Sequence, residues 1–300
     1  TVVGPEVLLE KGFADAFRDR GNAIVGPSRA AAALEWSKVF AKEFMARHQI
    51  PTARFVVCDQ LDAALEAVAG ARFGFPVVVK ADGLAAGKGV VVAENRTEAE
   101  KAVRAAMEER QFGTAGARLV IEECLTGPEV SFFVLCDGEH AVPLSTAEDH
   151  KRIWDGDRGP NTGGMGAFAP SPRMTPELAD TVMSGIVNPV LRGMRDEGAP
   201  YRGFLYVGLM MTPRGPQVIE FNVRFGDPEA QVVLPALDGP FARTVLAAAE
   251  GRLDTVEPLR VSPRKYVGVV MASRGYPASA ESGRAIAGLD RAAAHPDVVV

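Results

Sequence analysis

Apolar and polar positions recur with different periods along this chain, and each change of period marks an element. Between Leu8 and Arg20 the spacing is helical, Gly21 is a stop, and the short apolar runs Val2–Val3 and Ala23-Ile24-Val25 flank the segment. This predicts a βαβ-like unit, the tail of a doubly wound domain. Ser28 is placed to cap a helix through Leu34. A second helical run, Ser37–His48, stops before Ile50-Pro51, because the residue before a proline avoids helical backbone. From Val77 the texture changes. Val77–Lys80 reads as a strand, Asp82–Gly89 as a glycine-rich loop and Val90–Ala93 as the next strand. Thr97 and Glu100 have capping-box spacing for a helix to Arg110. Arg118–Glu123 and Glu129–Cys136 read as strands, with a hairpin turn at Asp137-Gly138. The 75–140 region therefore predicts a small α+β unit with an antiparallel sheet.

Ser145–Arg173 holds few apolar residues and reads as one long loop, of a length that usually carries function. Thr175-Pro176 places a cap and a first-turn proline for a helix. Gly203–Met211 and Pro216–Asn222 read as strands joined at Pro213-Arg214-Gly215. Asp238–Glu250 reads as a helix ending at Gly251. From Pro258 onward, short strands such as Tyr266–Ala272 read as the start of another domain. Thr1–Glu6 enters as a strand and Pro296–Val300 leaves as one, so both ends read as cuts through a longer protein.

A length of 300 residues accommodates two or three domains or subdomains. The 47 % hydrophobic and 24 % charged content is that of an ordinary globular protein. No apolar stretch reaches the roughly 18 residues of a membrane span, and no basic-then-apolar leader opens the sequence. A net charge of −5 argues against nonspecific nucleic-acid binding, so no nucleic acid and no membrane are expected as partners. Cys58, Cys124 and Cys136 are odd in number and scattered, without zinc-site spacing. They suit a reducing cytoplasm, as small buried hydrophobes.

Four segments carry candidate chemistry. In Lys80–Val90, Gly83, Gly87 and Gly89 let the backbone approach a ligand and offer N–H groups to phosphate, while Lys80 and Lys88 add positive charge. The segment is not a Walker loop: only three residues separate Gly83 from Gly87, and a strand follows instead of a helix. It fits a flap over phosphates, or else a plain hairpin. Around Ile121–Leu125 a strand edge can offer backbone groups to a purine, and Glu129 can hold ribose hydroxyls, although acidic strand ends are commonly just solvated. In Ile219–Glu229, Glu220, Asn222 and Arg224 share one strand face, opposite Phe221 and Val223. A carboxylate and an amide oxygen suit Mg²⁺, and Arg224 can neutralise a phosphoryl group, but a solvated polar face would alternate in the same way. Asp149–Arg152 and Gly159–Gly166 supply local positive charge and glycine N–H groups for a second, phosphate-bearing substrate, or form a solvated turn. His150 reads as a base or a positioning residue; His48, His140 and His295 have no evident partners in the sequence.

In this order and spacing, Gly4-Pro5-Glu6, Gly26-Pro27-Ser28, Ser37-Lys38, Lys80–Gly89, Ile121–Glu123, Asp149–Arg152, Gly159–Gly166 and Glu220–Glu229 resemble the glycinamide ribonucleotide synthetase family of ATP-grasp ligases. The resemblance spans nearly the whole chain. It implies an α/β and α+β chain with an ATP-grasp fold, in three parts. Residues 1–36 would end a Rossmann-like domain. Residues 37–255 would form the ATP-grasp domain, with a flap-bearing subdomain at about 70–140. Residues 256–300 would begin a C-terminal domain. It further implies ATP-dependent ligation of glycine to 5-phosphoribosylamine through glycyl phosphate, a step of purine synthesis. Glu220 and Asn222 would hold Mg²⁺ or Mn²⁺. Lys80, Lys88 and Arg224 would stabilise phosphoryl charge. Lys38, Gly83, Gly87 and Gly89 would contact ATP phosphates, and Glu122, Glu123, Leu125 and Glu129 would form the adenosine pocket. Asp149, Lys151, Arg152, Asn161, Thr162, Gly163, Gly164, Arg224 and Asp227 would serve the other substrates.

Two departures stand out. The family continues beyond both ends, and its glycine-rich opening is absent before Thr1, so this chain is expected to bind ATP better than it turns over. Tyr206–Met210 also lacks the acidic metal ligand that many ATP-grasp enzymes carry one strand earlier. Another ATP-grasp ligase or carboxylase would share the flap and the Glu220/Asn222 strand. A nucleotide-binding module without turnover is the remaining alternative.

Overall fold

The computed structural model describes residues 1–70, 72–84, 89–156 and 158–300. Val2 and Val25 form a parallel bridge, as the βαβ-like pattern requires. The expected helix between them is two short ones, α1 (Glu6–Glu10) and α2 (Phe13–Arg18). Gly12, at φ +76°, breaks the run in a left-handed conformation that glycine adopts without cost. The helix expected from Ser28 begins later, as α3 (Ala33–Trp36). Ser37 then caps α4 (Lys38–Arg47) by accepting from the Phe40 N–H.

The next elements form a small four-stranded antiparallel sheet: β1 (Phe55–Cys58), α5 (Leu61–Ala69), β2 (Val77–Ala81), β3 (Val90–Ala93), α6 (Arg96–Met107) and β4 (Leu119–Glu123), in strand order β1-β4-β2-β3. Helices α5 and α6 cover one face through Ala64, Val68, Ala99 and Val103. The capping box of α6 is Asn95 with Glu98, not Thr97 with Glu100. Asn95 accepts from the Glu98 N–H, Glu98 reaches back to the Glu94 N–H, and Glu100 pairs instead with Arg96. Asn is the stronger cap, and it sets the frame two residues earlier.

A six-stranded sheet follows, in order β11-β10-β5-β6-β9-β14. Its strands are β5 (Glu129–Asp137), β6 (Ala141–Asp149), β9 (Gly166–Ala169), β10 (Arg202–Thr212), β11 (Gly215–Asn222) and β14 (Tyr266–Val269). Thus Glu129–Cys136, expected in the small unit, belongs to the large sheet. Tyr266–Val269, expected to open a new domain, pairs with β9 and closes the large sheet's edge. The expected 145–173 loop is also largely ordered. It contains the end of β6, the ribbon β7 (Arg152–Trp154) with β8 (Arg158–Asn161), and β9. Strand β6 is buried on both faces from Leu144 to Ala147, and Ser145 and Thr146 make each face partly polar, so apolar spacing does not reveal it.

Strands β5 and β10 are buried on both faces, hence their near-continuous apolar sequence. Phe132, Val134, Leu205 and Val207 pack on one side with α4, α7 (Pro176–Val182) and α8 (Asn188–Asp196). Phe133, Leu135, Phe204 and Tyr206 pack on the other with α9 (Ala230–Val233) and α10 (Phe241–Glu250). Helix α10 starts three residues later than expected because Asp238, in β12 (Leu237–Asp238), pairs with Arg260, in β13 (Arg260–Val261), and Gly239-Pro240 turns the chain. The Thr175 cap, the Asp137-Gly138 hairpin and the Gly251 stop stand where the sequence puts them.

Candidate functional site

The candidate site forms where the end of β11 meets the small sheet. Strand β11 alternates as expected: Glu220 is exposed and Asn222 partly so, while Phe221 and Val223 are buried. The strand also bulges. Gly208 pairs with Glu220 but Leu209 with Val218, which leaves Ile219 as the extra residue. The Ile219 carbonyl, freed from regular pairing, accepts from the Lys80 ammonium at 3.0 Å across the gap between the sheets. Lys80 is the second-last residue of β2, so the strand itself aims it there.

Asp82 fixes the loop that follows. Its carboxylate accepts from the Ser37 hydroxyl at 2.9 Å, the Val39 N–H at 3.1 Å and Arg118 at 2.5 Å. A carboxylate at the start of α4 is favoured by the helix dipole. Lys38 donates to the Gly83 carbonyl at 3.1 Å. Burial lowers the Lys38 pKa, and the Glu220 carboxylate works against that shift. Gly83 stands at φ +143° with Ala115 where its Cβ would lie. The Gly89 carbonyl accepts from the Ala81 N–H at 2.8 Å and closes the base of the loop. Gly87 and Lys88, for which phosphate roles are expected, lie outside the described residues.

The expected adenosine set is divided by the pleat of β4. Glu122 points inward, and both of its oxygens are engaged by Lys80 and Lys42. Burial pushes its carboxyl up, but the two lysines outweigh this and hold it below the ordinary value. Glu123 points outward to Arg54 and Arg214. Burial again raises its pKa, but these guanidiniums pull it down to about 2. Glu129 pairs with Lys151 at 2.7 Å. Neither glutamate of β4 presents a free carboxylate to a nucleoside. What remains for a purine edge is backbone: the Leu125 N–H makes no backbone hydrogen bond among the described residues.

The segments expected to serve the second substrate come together, with Lys151 in electrostatic reach of Glu220. The Thr162 N–H and hydroxyl both donate to the Lys151 carbonyl, and the Met165 N–H donates to the His150 carbonyl, so the two arms of 149–166 zip together. Arg152 pairs with Asn161 in the β7–β8 ribbon and donates to the Gly159 carbonyl. Gly163 donates to the Tyr276 hydroxyl at 2.9 Å. Gly164 lies against Pro228, whose Cδ would be 2.4 Å from a Cβ there, so only glycine allows this ribbon to meet the Asp227-Pro228 turn. Asp227 itself is exposed and accepts from Gln231. Burial disfavours charge on Lys151, but the Tyr206 hydroxyl and the carboxylates of Glu220, Asp149 and Glu129 raise its pKa. Asp149 is raised chiefly by burial. A cavity of about 340 Å³ lined by His150, Arg152, Trp154 and Phe168 adjoins this ribbon.

Arg224 is tied to the N-terminal unit by Glu6 at 3.0 Å and Glu35 at 3.1 Å. Glu35 also accepts from the Val223 N–H, and burial raises it to about 7. Glu35, Lys42, Asp82 and Glu229 are site residues that the sequence pattern does not single out. Each matters through a nonlocal partner, which periodicity does not encode.

The residues fit a nucleotide with a divalent cation. An exposed carboxylate and an amide share one face, lysines stand on both sides, and no cluster of three or more His, Cys, Asp or Glu offers a rival site among the described residues. Two sheets with the Lys80 ammonium reaching from one to the other, and hard oxygen donors on the strand facing it, define an ATP-grasp protein. Residues 36–230 match the phosphoribosylglycinamide synthetase ATP-grasp (A) domain, so the chain belongs to that family of ATP-dependent ligases. A phosphoribosylamine–glycine ligase of Xylella fastidiosa is 54 % identical over 291 residues, covering 97 % of this chain and 67 % of the relative. The crystal structure of the phosphoribosylamine–glycine ligase of Thermotoga maritima, 39 % identical, superposes with a TM-score of 0.80 over 89 % of this chain and 67 % of that one. The biotin carboxylase domain of Hydrogenobacter thermophilus 2-oxoglutarate carboxylase, 23 % identical, shares the fold with a TM-score of 0.64 over 87 % of this chain and 54 % of that one. The chain thus spans about two thirds of the length of its ligase relatives.

Proposed function

We propose that this chain carries the nucleotide and acceptor sites of an enzyme that joins glycine to 5-phosphoribosylamine, forming glycinamide ribonucleotide, ADP and phosphate. The observation that carries the assignment is the meeting of three segments at Glu220. The Lys80 ammonium reaches the neighbouring Ile219 carbonyl from the flap side, Lys38 lies within electrostatic reach, and Lys151 does so from the 149–166 ribbon.

A carboxylate is a poor acylating agent. Transfer of the ATP γ-phosphoryl group to glycine gives glycyl phosphate, whose phosphate leaves when the phosphoribosylamine nitrogen attacks. Such transfers need positioning and charge neutralisation more than covalent help from the protein. Lys80 and Lys38 supply positive charge on the flap side, and Lys88 is assigned the same role. Glu220 and Asn222 would hold Mg²⁺ or Mn²⁺, which supplies charge neutralisation at the phosphates when bound. The Leu125 backbone takes the adenine edge. Arg224, fixed by Glu6 and Glu35, presents a preorganised guanidinium, and the ribbon residues Lys151, Arg152 and Asn161–Gly164 take the phosphoribosyl partner.

The domain limits proposed are 1–36, 37–255 and 256–300, with Tyr266–Val269 completing the large sheet of the middle unit. No helix among the described residues is long and apolar enough to cross a membrane. With three free cysteines, the cytoplasm is the compartment we assign. Phosphate release from ATP, measured with glycine plus 5-phosphoribosylamine, tests the assignment. It is expected to require both substrates, and release independent of glycine would overturn it.

A further inference from the structure

Behind Lys80, beside the assigned nucleotide cleft, lies a buried polar relay whose other members the proposed reaction does not use. Lys42, on α4, is 3 % exposed, yet it carries an ammonium. One of its contacts is the Oε2 oxygen of Glu122. Another is the Thr52 hydroxyl at 2.7 Å, which itself donates to the Val218 carbonyl at 2.7 Å. The Oε1 oxygen of Glu122 holds the Lys80 ammonium at 2.5 Å, and Lys80 donates onward to the Ile219 carbonyl. The two carbonyls reached are consecutive: Ile219 is the bulged residue that precedes Glu220, and Val218 is the residue before it. The Phe55 ring also faces Lys42, 5.6 Å from its ammonium.

A buried carboxylate with one cation would pull that cation as deep as possible. Glu122 is shared by two lysines, and each has an acceptor beyond it. Burial lowers the Lys42 pKa to about 8, with Glu122 opposing the shift, so the ion pair keeps Lys42 charged near neutrality. The buried pair is not explained as a source of stability, because the desolvation of three charged groups offsets most of their attraction. Specificity of geometry is what such a network can supply.

The geometry points to Lys42 and Glu122 as positioning residues, which hold the Lys80 ammonium at the mouth of the cleft where it can exchange the Ile219 carbonyl for a phosphate oxygen. Without Lys42, the whole Glu122 charge falls on Lys80 and draws it away from the cleft. This inference rests on the nucleotide assignment and deepens it. It places Glu122 behind the phosphate-binding lysine instead of in the adenosine pocket.

The test is isothermal titration of MgATP and of adenosine into the wild-type chain, Lys80→Met and Lys42→Met. Lys42→Met is expected to bind MgATP about tenfold more weakly, the scale of one displaced charge-assisted hydrogen bond, and adenosine within about twofold of wild type. Lys80→Met should show the same phosphate-selective loss. A general structural role for Lys42 would weaken both ligands alike, and that result overturns the inference. A phosphate-selective loss in Lys80→Met with none in Lys42→Met overturns the positioning role alone. Failure of the wild-type chain to bind either ligand overturns the nucleotide assignment together with it. Should Lys42→Met not fold, the double variant Lys42→Met, Glu122→Gln buries no unpaired carboxylate. It is expected to fold with a phosphate-selective loss too, because Lys80 then lacks the carboxylate that holds it at the mouth of the cleft, and equal loss of both ligands in it overturns the inference.

Discussion

Replacing Glu229 by Gln should stabilise this protein at pH 8 and do little at pH 5. Glu229 is 6 % exposed, and its carboxylate lies over Gly226, where a Cβ would stand 2.3 Å from Oε2. Burial raises its pKa from 4.5 to about 7, with Asp149 adding to the shift and Lys151 and Arg224 opposing it. The folded chain therefore keeps a proton that the unfolded chain loses between those two values. Stability falls as pH rises through that window, and the full cost is present above pH 7. At about 1.4 kcal/mol for each tenfold change in proton affinity, the cost is about 3 kcal/mol at pH 8. This is an upper bound, because structural relaxation and water entering around the ionised group reduce the cost of its burial. Gln keeps the shape and cannot ionise. With about 2–4 °C of melting temperature per kcal/mol, a gain of about 1–3 kcal/mol raises Tm by roughly 2–12 °C. Scanning calorimetry of both proteins at pH 5 and pH 8 reads this directly. An equal Tm difference at the two pH values, or a Gln variant less stable at pH 8, would refute the reasoning. Burial of an ionisable group at this cost is what a functional cleft tolerates, so the same variant should lose ligase turnover.

Three further outcomes follow from the same geometry. Gly226→Ala pushes the flexible Glu229 carboxylate out of its seat, so the extra stabilisation that Gln gives at pH 8 should shrink toward zero in a Gly226→Ala background, again by calorimetry. Glu220→Ala should leave stability within about 0.5 kcal/mol, because the side chain is exposed; metal-dependent turnover should fall at least about a hundredfold, the order lost with one preorganised electrostatic group, and an equally large loss of denaturant midpoint would count against the site assignment. Ser37→Ala removes the cap of α4 and one donor to Asp82, and should cost about 1–2 kcal/mol by urea unfolding.

The parts of the fold legible in the sequence are those governed by a strong local pattern. The double-sided burial of β5 and β10 writes itself as continuous apolar runs, and the hairpin at Asp137-Gly138 and the cap at Thr175 are local chemistry. The illegible parts depend on partners far along the chain. Strand β1 is four residues long and half-buried, and it becomes a strand because Leu119–Glu122 pairs with it. Strand β6 buries Ser145 on one face and Thr146 on the other, so its double-sided burial does not show as an apolar run. At the site, the alternation of Glu220, Asn222 and Arg224 is visible in the sequence, since a strand's period is fixed. The face on which Glu122 lies is not visible, because either member of the Glu122-Glu123 pair is acceptable as the inward one. Only the lysines contributed by β2 and α4 decide it.

The central claim is that the cleft between β2 and β11 binds the nucleotide with its metal. A crystal structure of the chain with Mn²⁺ and a non-hydrolysable ATP analogue tests it most directly, because the metal is located by its anomalous signal. The account predicts the metal against Glu220 and Asn222, with Lys80 and Lys38 turned to the phosphates. A metal bound elsewhere, with Glu220 still facing solvent, would contradict it.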